Sequence, residues 1–112
     1  MLGFEKYRKF CAQNTMLAAD TVKTIQAGGA GIQIVLTRAF VICLTAAAQT
    51  VYVGDTSGNQ KILSLPASYP VNSEAWAILD IGLALTVGDD AVIKPAAAGP
   101  SFFCILEGFF IL

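Results

Sequence analysis

Thr50-Val51-Tyr52-Val53-Gly54-Asp55-Thr56-Ser57-Gly58-Asn59-Gln60-Lys61-Ile62-Leu63-Ser64-Leu65 is the stretch that decides the fold class. Its middle, from Gly54 to Asn59, is the strongest turn signal in the chain. Glycine supplies positive φ, and Asp, Ser and Asn side chains bond their own backbone. The runs on either side, residues 50–53 and 60–65, are short and rich in β-branched, aromatic and alternating apolar residues. Two such runs joined by such a turn predict a β-hairpin with a loop longer than two residues.

The same grammar continues outward. Toward the N-terminus, residues 39–45 are apolar on both faces, as in a strand buried on both sides. Residues 21–27 and 32–37 read as strands separated by Gly28-Gly29-Ala30-Gly31. Toward the C-terminus, residues 66–72 carry two prolines and form a loop. Residues 73–81 read as a strand with Trp76, Ile78 and Asp80 on one face and Trp76 as a core residue, and residues 82–87 continue or pair with it. Gly88-Asp89-Asp90 is a second hairpin-type turn, and residues 91–94 are a short strand ended by Pro95. Residues 101–112 form a long last strand with a kink or bulge expected at Gly108. About eight short strands with turn signals roughly every 8–12 residues predict an all-β fold, a β-sandwich of jelly-roll kind.

Residues 1–19 differ in composition. They hold Lys6, Arg8 and Lys9, three of the seven basic residues, and Phe4, Tyr7 and Phe10 or Cys11 recur at spacings of three and four. They read as an N-terminal arm, helical or extended, that gains order by docking, ahead of a β-sandwich domain over residues 20–112. A frayed terminus is the plainer alternative.

Hydrophobic residues make up 55% of the chain and charged residues only 13%, against about 45–50% and about 25% in an ordinary soluble domain. A domain this small has too few charges to cover its surface, so part of that surface is expected to lie against another chain. A membrane helix is not expected. Gln33, Thr37 and Arg38 interrupt one apolar stretch, and Asp80 and Gly82 interrupt another. No secretory leader is expected either, since Glu5, Lys6, Arg8 and Lys9 stand where its apolar region would begin. With a net charge of −1, no general attraction to nucleic acid is expected.

Catalytic chemistry has little to start from. The chain has no histidine, so it can form neither a Ser–His nor a Cys–His pair. Asp89 and Asp90 are adjacent and point apart, which suits a turn better than acid–base work. Asp55, Ser57 and Asn59 fit a calcium loop only in part, because Gly58 precedes Asn59 instead of following it. The glycine run at residues 28–31 is not followed by Lys-Ser or Lys-Thr, so it is a bend and not a phosphate loop. Cys11, Cys43 and Cys104 are widely spaced and odd in number, and read as buried reduced thiols, in keeping with assembly in a cytoplasm. No enzyme activity, cofactor or metal site is expected.

The aromatic residues are more telling. Phe102, Phe103, Phe109 and Phe110 crowd the last strand, where alternation assigns Phe102 and Phe110 to one face and Phe103 and Phe109 to the other. One face fills the core, and the other is expected against a neighbour. Glu107, alone among apolar residues, is expected to pair with Arg38, Lys94 or a group across the interface. The candidate partner-binding residues are therefore Phe4, Lys6, Tyr7, Arg8, Lys9 and Phe10 in the arm, and Phe102, Phe103, Glu107, Phe109 and Phe110 in the last strand.

The Gly- and Ala-rich apolar strands, the segment Leu83-Ala84-Leu85-Thr86-Val87-Gly88-Asp89-Asp90-Ala91-Val92 and the closing Leu106-Glu107-Gly108-Phe109-Phe110 resemble the small all-β structural proteins of tailed bacteriophages, capsid decoration (cement) proteins among them. The resemblance spans about four fifths of the chain. It implies a homo-oligomer, often a trimer, seated by an N-terminal arm on the major capsid protein or another virion protein. It assigns no role residue by residue. A phage tail or fibre module that recognises host carbohydrate, through Tyr52, Tyr69 and Asn72, is the alternative.

Overall fold

The computed structural model describes residues 7–112. Eight strands follow in order: β1 (Tyr7–Met16), β2 (Lys23–Gln26), β3 (Gln33–Thr45), β4 (Val51–Asp55), β5 (Lys61–Leu65), β6 (Glu74–Ala84), β7 (Ala91–Pro95) and β8 (Ser101–Ile111). The hairpin expected around residues 54–59 joins β4 to β5. Gly54 and Asp55 still belong to β4, and the turn itself begins at Thr56. No helix among the described residues is long and apolar enough to cross a membrane.

The strands form two antiparallel sheets, a first sheet in the order β1-β8-β3-β6 and a second in the order β2-β7-β4-β5. Each strand of the first sheet is matched by a chain neighbour in the second, and the sheet edges meet where β1 lies beside β2 and β5 beside β6. This interleaving of two four-stranded sheets is the jelly roll. The core lies between the sheets, with Phe102, Met16, Ile34, Leu36, Ile93 and Leu106 fully enclosed.

One irregularity sets which side chains face where. Thr37 is an extra residue in β3, because Leu36 is opposite Gly108 and Arg38 opposite Glu107. A one-residue bulge reverses the inside–outside alternation beyond it. Ile34 and Leu36 point inward before Thr37, and Ala39, Val41 and Cys43 point inward after it. Arg38 is thereby turned to solvent. The bulge was expected at Gly108 and lies instead on the neighbouring strand, opposite that glycine. Gly108 is needed there because any Cβ would collide with the Val35 carbonyl oxygen. On the other side of β3, β6 accommodates the bulge by looping out residues 79–82, between the pairs Leu36–Leu83 and Arg38–Ile78. Gly82 closes that loop with φ at 91°.

The boundary expected at residue 20 is corrected. β1 pairs with β8 along its whole length, from Tyr7–Ile111 to Met16–Phe102, and Met16 is completely buried. Residues 7–16 therefore belong to the sandwich. They look arm-like in sequence because this edge strand is only partly covered: Met16 is buried and Phe10 and Ala12 half-buried, while Asn14 on the same side and Lys9, Cys11 and Gln13 on the other are exposed.

Candidate functional site

The register of the first sheet lays its outward residues in transverse rows running from β1 through β8 and β3 to β6. One row is Thr15, Phe103, Ile42 and Glu74. The next is Gln13, Ile105, Phe40 and Trp76. The third is Cys11, Glu107, Arg38 and Ile78. The middle of the face is thus apolar, with one cation and one anion side by side at its centre.

Trp76 is 63% exposed, Ile78 62% and Ile81, in the looped-out segment, 92%. The Trp76 ring lies against Phe40, with centroids 4.5 Å apart and planes inclined at 58°. The expectation of Trp76 in the core is corrected. Its register partner Phe40 faces outward because of the Thr37 bulge, so Trp76 faces outward too, and Ala75 and Ala77 take the inward positions. A hollow of about 230 Å³ opens between Arg38, Phe40, Trp76, Ile78, Ile105 and Glu107. A second hollow, of about 540 Å³, adjoins it around Lys9, Asp80 and Phe109 and shares Arg38, Ile78 and Glu107. Trp76, Ile78 and Ile81 thus leave large apolar side chains in water on this face.

The residues singled out by sequence divide. Phe4 and Lys6 lie outside the described residues. Tyr7 pairs through its backbone with Ile111. Arg8 sits with its guanidinium 5.3 Å from the centroid of Phe110, and Phe10 packs on the same ring at 5.1 Å. Phe102 and Phe110 are 1% and 7% exposed. Both belong to the core of the subunit, which corrects their assignment to a partner surface. Phe103, Glu107 and Phe109 alternate with them on the outward side, half-buried, and Lys9 on β1 is exposed beside Phe109. Of the partners expected for Glu107, Arg38 is its neighbour on β3, whereas Lys94 is in the second sheet. Phe40, Ile42, Ile78 and Ile105 were not foreseen as surface residues. The run at residues 39–45 is apolar on both faces and gives no sign of which face is outside.

The outer face of the second sheet is different in kind. A hollow of about 570 Å³ there is lined by Tyr52, Lys61, Ser64 and Lys94 among others, with the Lys61 ammonium 5.0 Å from the Tyr52 ring centroid. The Tyr52 hydroxyl donates to the Asp55 carbonyl. Tyr69 packs on Phe102 and donates to the Glu74 carbonyl. Neither Tyr69 nor Asn72 lines the Tyr52 hollow, so these three residues do not assemble into one carbohydrate site.

The turn aspartates tie loops together. Asp55 is completely buried. The Thr86 amide and hydroxyl donate to its Oδ2 at 3.0 and 2.7 Å, and the Gln60 amide and Ser57 hydroxyl donate to its Oδ1 at 3.2 Å each. Burial alone would push this carboxyl up, but the four hydrogen bonds together outweigh it and hold it below its ordinary value. Asp89 accepts from the Ser57 amide and Asp90 from the Gly28 amide. Among the described residues no group of three His, Cys, Asp or Glu could hold a metal ion. Cys43 and Cys104 are buried free thiols, and burial pushes Cys104 up to about 12. Cys11, expected to be buried, is exposed on the outer face of β1.

No family model matches the chain, and no curated protein matches it. Solved structures do. A chain from the acid-stable capsid of Helicobacter pylori bacteriophage KHP30 superposes with a TM-score of 0.63 at 12% identity, covering 92% of each chain. A chain from the virus-like particle of Macrobrachium rosenbergii extra small virus has a TM-score of 0.47 at 9% identity, over 93% of this chain and 78% of that one. A chain from Bacillus endospore appendages, described as disulfide-linked pili, has a TM-score of 0.43 at 16% identity, over 95% and 88%. The likeness to the phage capsid chain establishes a shared all-β fold.

Proposed function

We propose that this chain is a virion structural protein that decorates and stabilises a capsid shell through contacts between copies of itself. The outer face of the first sheet is its contact surface. The observation that carries this reading is Trp76 standing in solvent against Phe40, on a stretch of sheet face whose other rows are mainly apolar. The fold shared with a phage capsid chain supports the class, as does the resemblance of the sequence to phage decoration proteins.

The work done is mechanical and non-enzymatic. Each apolar face removed from water contributes about 25 cal/mol per Å², and repetition over a lattice turns a modest contact into a stable shell. The resemblance implies a trimer, which would use other surfaces of the subunit besides this face. Seating on the major capsid protein or another virion protein falls to the N-terminal residues 1–19 that the sequence singles out, whose described part, β1, exposes Arg8 and Lys9. The location is the virion, assembled in the host cytoplasm. Counting protein copies in purified particles tests the reading. Many copies per particle, reduced by Trp76→Glu, is the expected result. Absence from particles, with the purified protein fully assembled, overturns it.

A further inference from the structure

The rows across the first sheet are self-complementary, and we infer from them a specific partner for this face: the same face of a second copy, related by a two-fold axis. The inference rests on the contact surface proposed above and adds its geometry. Arg38 and Glu107 are register neighbours on adjacent strands. An axis running along the strands, between β3 and β8, exchanges those two strands between copies. It places Arg38 of each copy over Glu107 of the other, forming two reciprocal ion pairs.

The same operation matches the apolar rows. Phe40 is opposite Ile105, and Ile42 opposite Phe103, within one chain. Across the axis each meets its counterpart from the second copy, so the apolar centre is covered by apolar side chains throughout. Gln13 comes over Trp76, and Cys11 over Ile78, because they end the same rows. Two twisted sheets facing each other with their strands nearly aligned pack at about −30° and about 10 Å, which this axis allows. Four strands about 4.8 Å apart, with about 3.3 Å per residue over the length of β8, present about 700 Å² per copy. A stable specific contact buries about 800 Å² per partner, so one such face is close to sufficient. The product is a dimer, since a two-fold face pairs two copies only.

Charge reversal in separate chains tests the pairing. Arg38→Glu gives a face with two acids, and Glu107→Arg a face with two bases, so each variant alone should lose the two-fold contact by more than about ten-fold. Mixed together, the two variants place acid over base at both positions, and the contact should return as a heterodimer in native mass spectrometry. A damaged subunit could not be rescued by mixing, so recovery identifies the contact as intermolecular. A readout without charge change uses the native thiol. Ile78→Cys should be joined to Cys11 of the second copy by a short bifunctional thiol reagent, giving a covalent dimer, because within one chain the two strands are three spacings, about 14 Å, apart. Cys11→Ser in that background should abolish the cross-link. Failure of the mixture to recover the contact, or absence of the Cys11-dependent cross-link, overturns the two-fold arrangement. Either failure combined with normal incorporation into particles leaves the decoration role standing. A confirmed two-fold dimer absent from particles does the reverse.

Discussion

The two faces of β8 carry nearly the same chemistry and have opposite fates. Phe102, Cys104, Leu106 and Phe110 are sealed between the sheets, and Phe103, Ile105 and Phe109 stand half-buried outside, with only Glu107 to mark the difference. A strand apolar on both faces therefore does not mean one buried twice within its own subunit. Inside, the second sheet covers the side chains. Outside, none of the described elements covers the rows around Trp76, and in the proposed assembly a second copy supplies what the second sheet supplies within. The proposed contact lies on the outer side because the inner side is already satisfied.

The largest expected effect separates the two faces outright. Phe102→Asp places an unpaired charge among core side chains and should cost more than about 4 kcal/mol, leaving no folded subunit by circular dichroism. Phe103→Asp, one residue along, should keep the fold and split the assembly. If the two variants behave alike, the faces are not distinct in the way proposed.

Asp55 sharpens the meaning of inside, since it is a fully buried carboxylate that the interior tolerates because four donors meet it. Asp55→Ala orphans those donors and should cost about 3 kcal/mol in urea denaturation. The carboxyl is held below its ordinary value in the folded chain. Its contribution is therefore complete above the unfolded value, about 3.9, and is lost as pH falls through that value toward the folded one. Wild type should lose stability over that acid window, and Asp55→Asn should flatten that part of the loss.

Glu107→Gln gives the smallest effect on the fold. The side chain faces outward next to Arg38, so subunit stability should change by no more than about 0.5 kcal/mol, while assembly weakens measurably in sedimentation. An unchanged assembly would mean that Glu107 only faces water.

Much of the fold was legible in the sequence. Turns at Gly54–Asn59 and Gly88–Asp90 and the prolines at 66, 70, 95 and 100 punctuate the chain into its strands. Facing was harder to read. Thr37 carries no sign that it is the extra residue, yet it decides that Arg38, Phe40 and Trp76 point outward. On β6 the large residues Trp76 and Ile78 lie outside and the small Ala75 and Ala77 inside, against the usual association of size with burial. Local pattern cannot reveal this, because the choice depends on register with a strand some thirty residues away. β1 was misread for a related reason: an edge strand with alternate polar residues looks like a solvated arm. Asp55 looks like any turn aspartate until the loop carrying Thr86 folds over it.

The most direct test of the central claim, that the outer face of the first sheet joins copies of the chain, is the native mass of the purified protein at micromolar concentration, with and without Trp76→Glu. Wild type should appear as a multiple of the 11.8 kDa subunit, and Trp76→Glu as a folded single subunit of unchanged melting temperature. A wild-type protein that is a stable, soluble monomer, or a Trp76→Glu variant that assembles as wild type does, would contradict the account.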